Sequence, residues 1–348
     1  MNNQHQITLK DIAQQLKLSV STVSRALKGS TDINAETSKQ VLALAEELKY
    51  SPNPIALSLK DKKTKVIGVM VQEIANNYCS AVIAGIENFA CKMGYQTIIS
   101  QSHEKYETEV QNTRLLASRR IDGLIISISN ETRNTDHLQE LIDKGIPVVM
   151  FDRVSNAIAT HKVIVDDYRG AFEATCQLIE QGYENIAHIT ISKHLLITQN
   201  RLRGFTDALR THQLPVRSEW ILHCDFNTEA TENKIRHLFC STKRPDAVLL
   251  SVERLSITCL KVLRELELQV PDDVALSSFS DNPLSPFLNP ALTSVCQPTF
   301  AMGQLAVELL IELIESKQII KEYKTVQMKT TLHVHESSLR KAVAVGEK

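Results

Sequence analysis

The sequence predicts an all-α head of about 50 residues, followed by an α/β body of two doubly wound lobes with parallel sheets. Three observations predict this architecture. Residues 1–50 carry short apolar repeats at helical spacing, and the rest of the chain alternates Val- and Ile-rich runs with helical stretches. This remainder, roughly 280 residues, is too long for one such sheet, which predicts two lobes.

Three short helices account for the head. The first is predicted over residues 9–16, LKDIAQQL, where apolar residues recur at helical spacing. The second begins after Ser19, a good N-cap, and ends at Gly29. The third is predicted to begin at Asn34, a good N-cap, and to run through Val41, Leu42, Ala45 and Leu48.

The body alternates strands and helices. Parallel strands that helices cover on both faces are rich in Val and Ile, as these runs are. The predicted strands lie in KVIGVMV, YQTIIS, DGLIISIS, IPVVMF, HKVIVDD, ENIAHITI, DAVLLSV and DVALSSF. The predicted intervening helices lie at 81–93, 107–119, 171–181 and 256–266, and TVQMKTTLHVHESS is predicted to close the β-structure.

The composition narrows the class of protein. The chain has no apolar run long enough to span a bilayer, and MNNQHQITLK lacks the apolar core of a secretory signal, so we expect a cytoplasmic protein with no membrane partner. The seven cysteines are dispersed, without a CxxC pair, which predicts reduced thiols, no metal site and no cofactor. No phosphate loop, dinucleotide fingerprint, GxSxG or HExxH motif occurs, which predicts that the protein is not an enzyme.

Charge is distributed unevenly along the chain. Residues 1–65 carry ten Lys and Arg against six acidic residues, whereas residues 66–348 carry 29 basic and 34 acidic residues. A basic head on an acidic body indicates a polyanionic partner at one end of the protein.

The head contains a helix, a tight turn and a second helix within about 20 residues, which is the helix-turn-helix arrangement. In that motif the second helix enters the major groove of DNA and its first residues reach base edges. Short hydroxyl side chains begin this second helix, and Arg25 can bind a guanine through two hydrogen bonds. This pattern favours DNA binding, while a three-helix head with another role stays the alternative.

The segments STVSRAL, INAET and LKYSPNPIA form a highly specific combination near the N-terminus. IGVMVQEIANNYCSAVIAGIE, RRIDGLII, GIPVVMFDR, VIVDDYRGA, NRLRGF, VPDDVAL and LNPALTSVCQP follow in order. On these segments the chain resembles the LacI/GalR family of transcriptional regulators over residues 7–338. The resemblance implies a regulator that binds near-palindromic operator DNA, and the tail LRKAVAVGEK, which has no heptad repeat, favours a homodimer.

The resemblance implies a role in DNA contact for individual residues of the head. It places Val20, Ser21 and Arg25 on bases, and we predict a thymine methyl opposite Val20. The implied contacts to the phosphate backbone are Ser19, Thr22, Ser24, Thr8 and Thr37.

The segment SPNPIALSLK, residues 51–60, is too short to form a stable helix alone. The resemblance implies that this hinge becomes helical on operator DNA, beside the same segment of a second subunit. Leu59 is predicted to wedge into a base step of the minor groove, and Ile55 to contact its twin. Asn53 and Ala56 complete the predicted DNA contacts of the hinge.

A small polar effector, a sugar or sugar derivative, is expected between the lobes, where ligands of such folds lie. The resemblance maps effector contacts onto Asn76, Tyr78, Cys79, Asp152, Arg153, Arg201, Phe226, Glu253 and Asp281. The chain departs from the family at two places. Val252 and Glu253 replace a frequent Asn-Asp pair, and Ser280 replaces a frequent aspartate, so the ligand of a relative cannot be transferred.

The sequence thus predicts a repressor whose operator affinity is set by an effector. Its predicted parts are a DNA-binding domain at 1–50, a hinge at 51–64, a body at 65–338 and a tail at 339–348. In the body, lobe 1 is predicted at about 65–163 and 297–324, and lobe 2 at about 164–296 and 325–338. Two alternatives stay open: a periplasmic-type sugar-binding protein without DNA regulation, and a regulator controlled by a protein partner.

Overall fold

The computed structural model describes residues 7–50, 63–226, 228–316 and 322–340. The chain divides into two compact units, Met1–Thr64 and Lys65–Lys348. Within the described ranges, no helix is both long and apolar enough to cross a membrane.

Within the first unit, residues 7–50 form a bundle of three helices. They are α1 (Leu9–Gln15), α2 (Val20–Leu27) and α3 (Ala35–Glu47). Ser19 and Asn34 cap α2 and α3 as predicted, and Gly29 allows the turn after α2 by adopting a φ of +67°. The Leu42 side chain is 51% exposed, whereas Leu44 packs against the core, because it lies on the inner face of α3.

Lobe 1 of the second unit is a six-stranded parallel sheet with two helices on each face. Its strands, in spatial order β11-β5-β4-β3-β1-β2, are β1 (Val66–Val71), β2 (Gln96–Gln101), β3 (Gly123–Ile126), β4 (Val148–Phe151), β5 (His161–Val165) and β11 (Thr325–Met328). Its helices are α4 (Asn77–Lys92), α5 (Tyr106–Ser118), α6 (Asp136–Asp143) and α11 (Thr299–Glu315). Strands β3 and β4 are buried along their whole length, as their Val- and Ile-rich sequences predict.

Lobe 2 repeats this architecture, with one antiparallel strand at an edge. Its strands, in spatial order β12-β10-β9-β8-β6-β7, are β6 (Ile186–Thr190), β7 (Ile221–His223), β8 (Ala247–Leu250), β9 (Ala275–Phe279), β10 (Thr293–Cys296) and the antiparallel β12 (Thr331–His333). Its helices are α7 (Asp167–Glu180), α8 (Leu196–Thr211), α9 (Thr228–Cys240) and α10 (Glu253–Glu265).

The predicted boundary between the lobes at residue 325 is wrong. Strand β11 pairs in parallel with β5 and so belongs to lobe 1, whereas β12 pairs with β10 in lobe 2. The segment TVQMKTTLHVHESS therefore crosses between the lobes at Lys329 and Thr330 instead of lying wholly in lobe 2. The earlier crossing also lies slightly later than predicted, since β5 runs to Val165.

Candidate DNA-reading helix and candidate effector site

The N-terminus of α2 carries a cluster of three hydroxyl groups. The Ser19 Oγ accepts a hydrogen bond from the Thr22 amide at 3.1 Å, and it lies 2.8 Å from both Ser21 Oγ and Thr22 Oγ1. Helix N-termini favour anions, because their first amides lack partners and the helix dipole is positive there. This end of α2 is therefore suited to contact a phosphate.

The outer face of α2 presents two of the three side chains predicted to read bases, Val20 at the start of the helix and Arg25 near its end. Val20 is 41% exposed, and Arg25 is exposed with its Nε 3.4 Å from the Ser21 carbonyl oxygen to which it donates. Val23 and Ala26 lie on the opposite face, in the core of the bundle. The periodicity of α2 thus separates residues that hold the fold from residues that can meet DNA.

The other predicted DNA contacts fall into two groups. The Thr8 amide and hydroxyl both donate to Asp11 Oδ2 at 2.8 Å, an arrangement that caps α1. Ser24 and Thr37 are half-buried, and Thr37 lies in the first turn of α3. The hinge contacts lie outside the described residues, namely Asn53, Ala56 and Leu59, together with Ile55.

A cavity of about 400 Å³ lies between the two lobes and is here called the effector cavity. All nine residues predicted from the sequence line it. Lobe 1 contributes Asn76, Tyr78, Cys79, Asp152 and Arg153, and lobe 2 contributes Arg201, Phe226, Glu253 and Asp281.

Val252 and Ser280, at the two departures from the family, also line the cavity. The sequence prediction missed nine further lining residues, namely Gln72, Glu73, Ala75, Glu104, Ile197, Arg254, Ile257, Phe279 and Gln297. Two of the nine could have been predicted from their position, since Gln72 directly follows β1 and Gln297 directly follows β10. The carboxyl ends of parallel strands are where ligands bind in such sheets.

Two buried arginines stand in the wall of the effector cavity. The Arg153 guanidinium donates to Glu104 at 2.7 Å and lies 5.7 Å from the centre of the Phe226 ring. Arg201 forms a buried ion pair with Asp167 at 2.7 Å and stacks 3.8 Å from the centre of the Phe279 ring.

The donors of Arg201 are largely engaged by the protein itself. Its Nη1 donates to the Ser251 carbonyl oxygen, and its Nη2 lies 3.5 Å from Gln297 Oε1. Arg201 therefore holds loops of lobe 2 in position around the cavity, in addition to facing it.

Two carboxylates of the cavity have raised pKa values. Burial raises the pKa of Asp152, against the opposing effect of Arg153 and Arg201, and its backbone has a φ of +54°. Burial raises the pKa of Asp281 to about 6, although its oxygens accept hydrogen bonds from the Gln297 amide at 2.6 Å and the Gln297 Nε2 at 3.0 Å. Both groups can accept hydrogen bonds from a ligand.

Glu253 joins the two lobes. Its Oε1 accepts a hydrogen bond from Asn77 Nδ2 of lobe 1 and another from Asn282 Nδ2 of lobe 2, both at 2.9 Å. The sequence did not predict this contact, because residues 77 and 253 lie on different lobes and are brought together by the fold.

The remaining lobe 1 residues shape the cavity wall. Asn76 caps α4, with its Oδ1 accepting from the Tyr78 amide at 2.8 Å. Burial raises the pKa of the Cys79 thiol to about 12, and its Sγ lies 3.5 Å from Gln72 Oε1. The thiol is therefore neutral, and it does not act as a nucleophile at physiological pH.

A second cavity of about 600 Å³ adjoins the effector cavity. The two share four lining residues, which are Glu73, Glu104, Phe226 and Arg254. Aromatic rings, carboxylates and amides thus converge on the space between the lobes, which suits a ligand with both apolar faces and many polar groups. Within the described ranges, no group of three or more His, Cys, Asp and Glu side chains could hold a metal ion.

A helix-turn-helix unit joined to a two-lobed body with an interlobe cavity defines a DNA-binding regulator that responds to a ligand. Comparison with known families agrees with this class. The family described as "Bacterial regulatory proteins, lacI family" matches residues 8–53, and the family described as "Periplasmic binding proteins and sugar binding domain of LacI family" matches residues 64–332. The chain belongs to the LacI family, and it is a DNA-binding transcriptional regulator.

Individual relatives match over nearly the whole chain. The ribose operon repressor of Haemophilus influenzae is 29% identical over 330 residues, which is 95% of this chain and 98% of the relative. The transcriptional repressor PurR of Aliivibrio fischeri strain MJ11 is 31% identical over 314 residues, which is 89% of this chain and 92% of the relative. The solved structure of the transcriptional regulator CelR in complex with cellobiose is 25% identical, with a TM-score of 0.72 and coverage of 95% and 99%.

Proposed function

We propose that this protein is a homodimeric repressor whose affinity for a near-palindromic operator is controlled by a sugar or sugar derivative bound in the effector cavity. In this proposal Val20, Ser21 and Arg25 read bases. Ser19, Thr22, Ser24, Thr8 and Thr37 contact phosphates, and Asn53, Ala56 and Leu59 act in the hinge. The protein acts by binding, without a catalytic step.

The observation that carries the proposal is the convergence of nine residues, chosen from the sequence alone, on one cavity between the lobes. Phe226 and Phe279 offer apolar faces, while Asp152, Asp281 and Glu253 offer acceptors, and sugars present an apolar face edged by hydroxyl donors. The relatives support a sugar, since they include a ribose operon repressor and a cellobiose complex.

The DNA half of the proposal is tested by selection from random duplexes with the full-length protein at fixed salt. We expect a near-palindromic consensus, because two identical heads read two half-sites in opposite directions. Selection of a motif without twofold symmetry, or a monomer by light scattering, would contradict the homodimer.

The effector half is tested by thermal shift of the full-length protein with ribose, cellobiose, glucose and free nucleobases. A ligand that binds the native state raises the melting temperature in a concentration-dependent way. The same sugar must also change operator affinity in fluorescence anisotropy. A shift with nucleobases alone would replace the sugar in this proposal, and no shift at all would favour control by a protein partner.

A further inference from the structure

Glu253 is the first residue of α10, and it contacts lobe 1 from the wall of the effector cavity. One of its two oxygens, Oε1, accepts hydrogen bonds from Asn77 at the start of α4 and from Asn282 after β9, both at 2.9 Å. A single carboxylate oxygen therefore connects the two lobes in the wall of the effector cavity.

The other oxygen of Glu253 is buried. Among the described residues, Oε2 has no hydrogen-bond partner. A buried carboxylate oxygen without a donor is costly, so a ligand that supplies an O–H or N–H group here gains more than it would at a hydrated acceptor. Oε2 is thus an acceptor that the protein itself leaves unsatisfied among the described residues.

The charges around Glu253 indicate which ligands this point accepts. Asp281 is near enough that the negative charge of Glu253 contributes to raising its pKa, although burial is the larger cause. The buried arginines of the cavity are already paired, Arg153 with Glu104 and Arg201 with Asp167. The carboxylates of Glu253 and Asp281 make this end of the cavity rich in acceptors, which suits a ligand that places a hydroxyl or an amine here.

The local sequence explains why this role falls on Glu253. Val252 occupies the N-cap of α10 without a side-chain hydrogen bond, so it offers a ligand no polar group. The carboxylate of the next residue is the polar group at the start of this helix, and its two methylenes carry it to Asn77 across the interlobe space.

We propose that Glu253 is a bridging and specificity-determining residue. Through Oε1 and Asn77 it holds the lobes together before the effector arrives, and through Oε2 it accepts a hydrogen bond from a hydroxyl or amine of the effector. The second half rests on the proposed function, because it requires an effector in this cavity, whereas the first half does not.

Two substitutions distinguish the bridging role of Glu253 from its role as an acceptor for the effector. Asn77→Ala removes the donor from lobe 1 and leaves both oxygens of Glu253 in place. Glu253→Gln keeps an oxygen that can accept from Asn77 and Asn282, but it replaces the unpaired Oε2 with an amide NH₂ donor. The matched controls are Asn233→Ala and Glu265→Gln, which change exposed or half-exposed residues on α9 and α10 that pair with Arg236.

The bridge is tested without any ligand, by hydrogen–deuterium exchange of the full-length protein. We expect Asn77→Ala to exchange several-fold faster than wild type in peptides covering residues 77–83 and 252–257, with Glu253→Gln and both controls like wild type. Equal protection in wild type and Asn77→Ala would overturn the bridge.

The acceptor is tested by calorimetric titration of ribose, glucose, glucosamine, cellobiose and ribose 5-phosphate. The sugar that binds wild type should lose tenfold or more in affinity for Glu253→Gln and keep its affinity for Glu265→Gln. If glucosamine binds more tightly than glucose, the ligand group that donates to Glu253 Oε2 is an amine. If glucose binds more tightly, that group is a hydroxyl.

The failures of the two proposals are distinguishable. Equal affinity of one sugar for wild type and Glu253→Gln would refute the acceptor role while leaving the sugar effector intact. If no compound binds wild type, the sugar effector and the acceptor role that depends on it both fail, and the exchange experiment still decides the bridge.

Discussion

The head and the effector cavity use polar side chains in opposite ways. In the head, the hydroxyls of Ser19, Ser21 and Thr22 are paired with neighbours two or three residues away at the surface. In the cavity, Arg201 and Glu253 are paired with groups from distant parts of the chain, and these pairs also hold loops and lobes in position. The exposed side chains of Val20 and Arg25 are therefore separable from the fold, whereas Arg201 and Glu253 of the cavity are part of it.

The largest loss of stability is expected from Arg201→Met. It leaves the buried Asp167 carboxylate without its partner, and breaking a buried ion pair in this way costs about 3–5 kcal/mol of the free energy of unfolding. Urea denaturation of the full-length protein measures it. Arg210→Met, which breaks an exposed pair with Asp207, is the control and should cost about 1 kcal/mol or less. A similar cost for both variants would remove the distinction between cavity and surface.

The stability of the body is expected to depend on pH through Asp281. Because burial raises the pKa of Asp281 to about 6, the folded body holds this proton more tightly than the unfolded chain does, and the free energy of unfolding falls as pH rises from about 4 to 6. Asp281→Asn should abolish the decrease in the free energy of unfolding that Asp281 causes between pH 4 and 6. The variant should therefore be more stable than wild type at pH 7.5, by up to about 3 kcal/mol.

Melting curves between pH 4 and 8 check this prediction. Asp143→Asn, on the exposed surface of α6, serves as the control and should leave the pH profile unchanged. If Asp281→Asn were less stable than wild type at pH 7.5, the carboxylate would be stabilising the cavity instead of straining it.

In the head, Arg25 is expected to set the preference for operator DNA. Arg25→Ala should lose about 1–3 kcal/mol of preference for operator over random DNA, because a bidentate contact with a guanine is lost. Its unfolding free energy should stay within about 0.5 kcal/mol of wild type, since the side chain is exposed. Fluorescence anisotropy at fixed salt measures the preference, and the control Lys39→Ala, at an exposed residue of α3, should leave the preference unchanged. An unchanged preference would mean that Arg25 does not read bases.

The smallest effect is expected at Val20. Val20→Ala should cost about 1 kcal/mol of operator affinity, through the loss of apolar contact with a thymine methyl. Replacing the thymine by uracil should produce the same loss in wild type and no further loss in the variant. Additive losses would place the methyl contact elsewhere.

The sequence predicted the three head helices well, because caps and apolar spacing are local signals. Ser19 and Asn34 cap as expected, whereas the exposure of Leu42 and the packing of Leu44 were not predicted, since both faces of α3 carry leucines and tertiary packing selects Leu44. In the body, all nine predicted residues line one cavity. Their mutual contacts were not predictable, because the pairing of Asn77 with Glu253 depends on how the lobes meet. The strand β11 was misplaced for the same reason, as pairing partners are not encoded within a strand.

The crossing at Lys329 and Thr330 has a consequence for synthesis of the protein. The last strand of lobe 1, β11, and the last strand of lobe 2, β12, lie on either side of it. On the ribosome, both sheets therefore lack an edge strand until the same few residues emerge, more than 260 positions after β1 began at Val66 and more than 140 after β6 began at Ile186. The two sheets therefore receive their last strands almost at the same time, and until then β5 and β10 are unpaired edges.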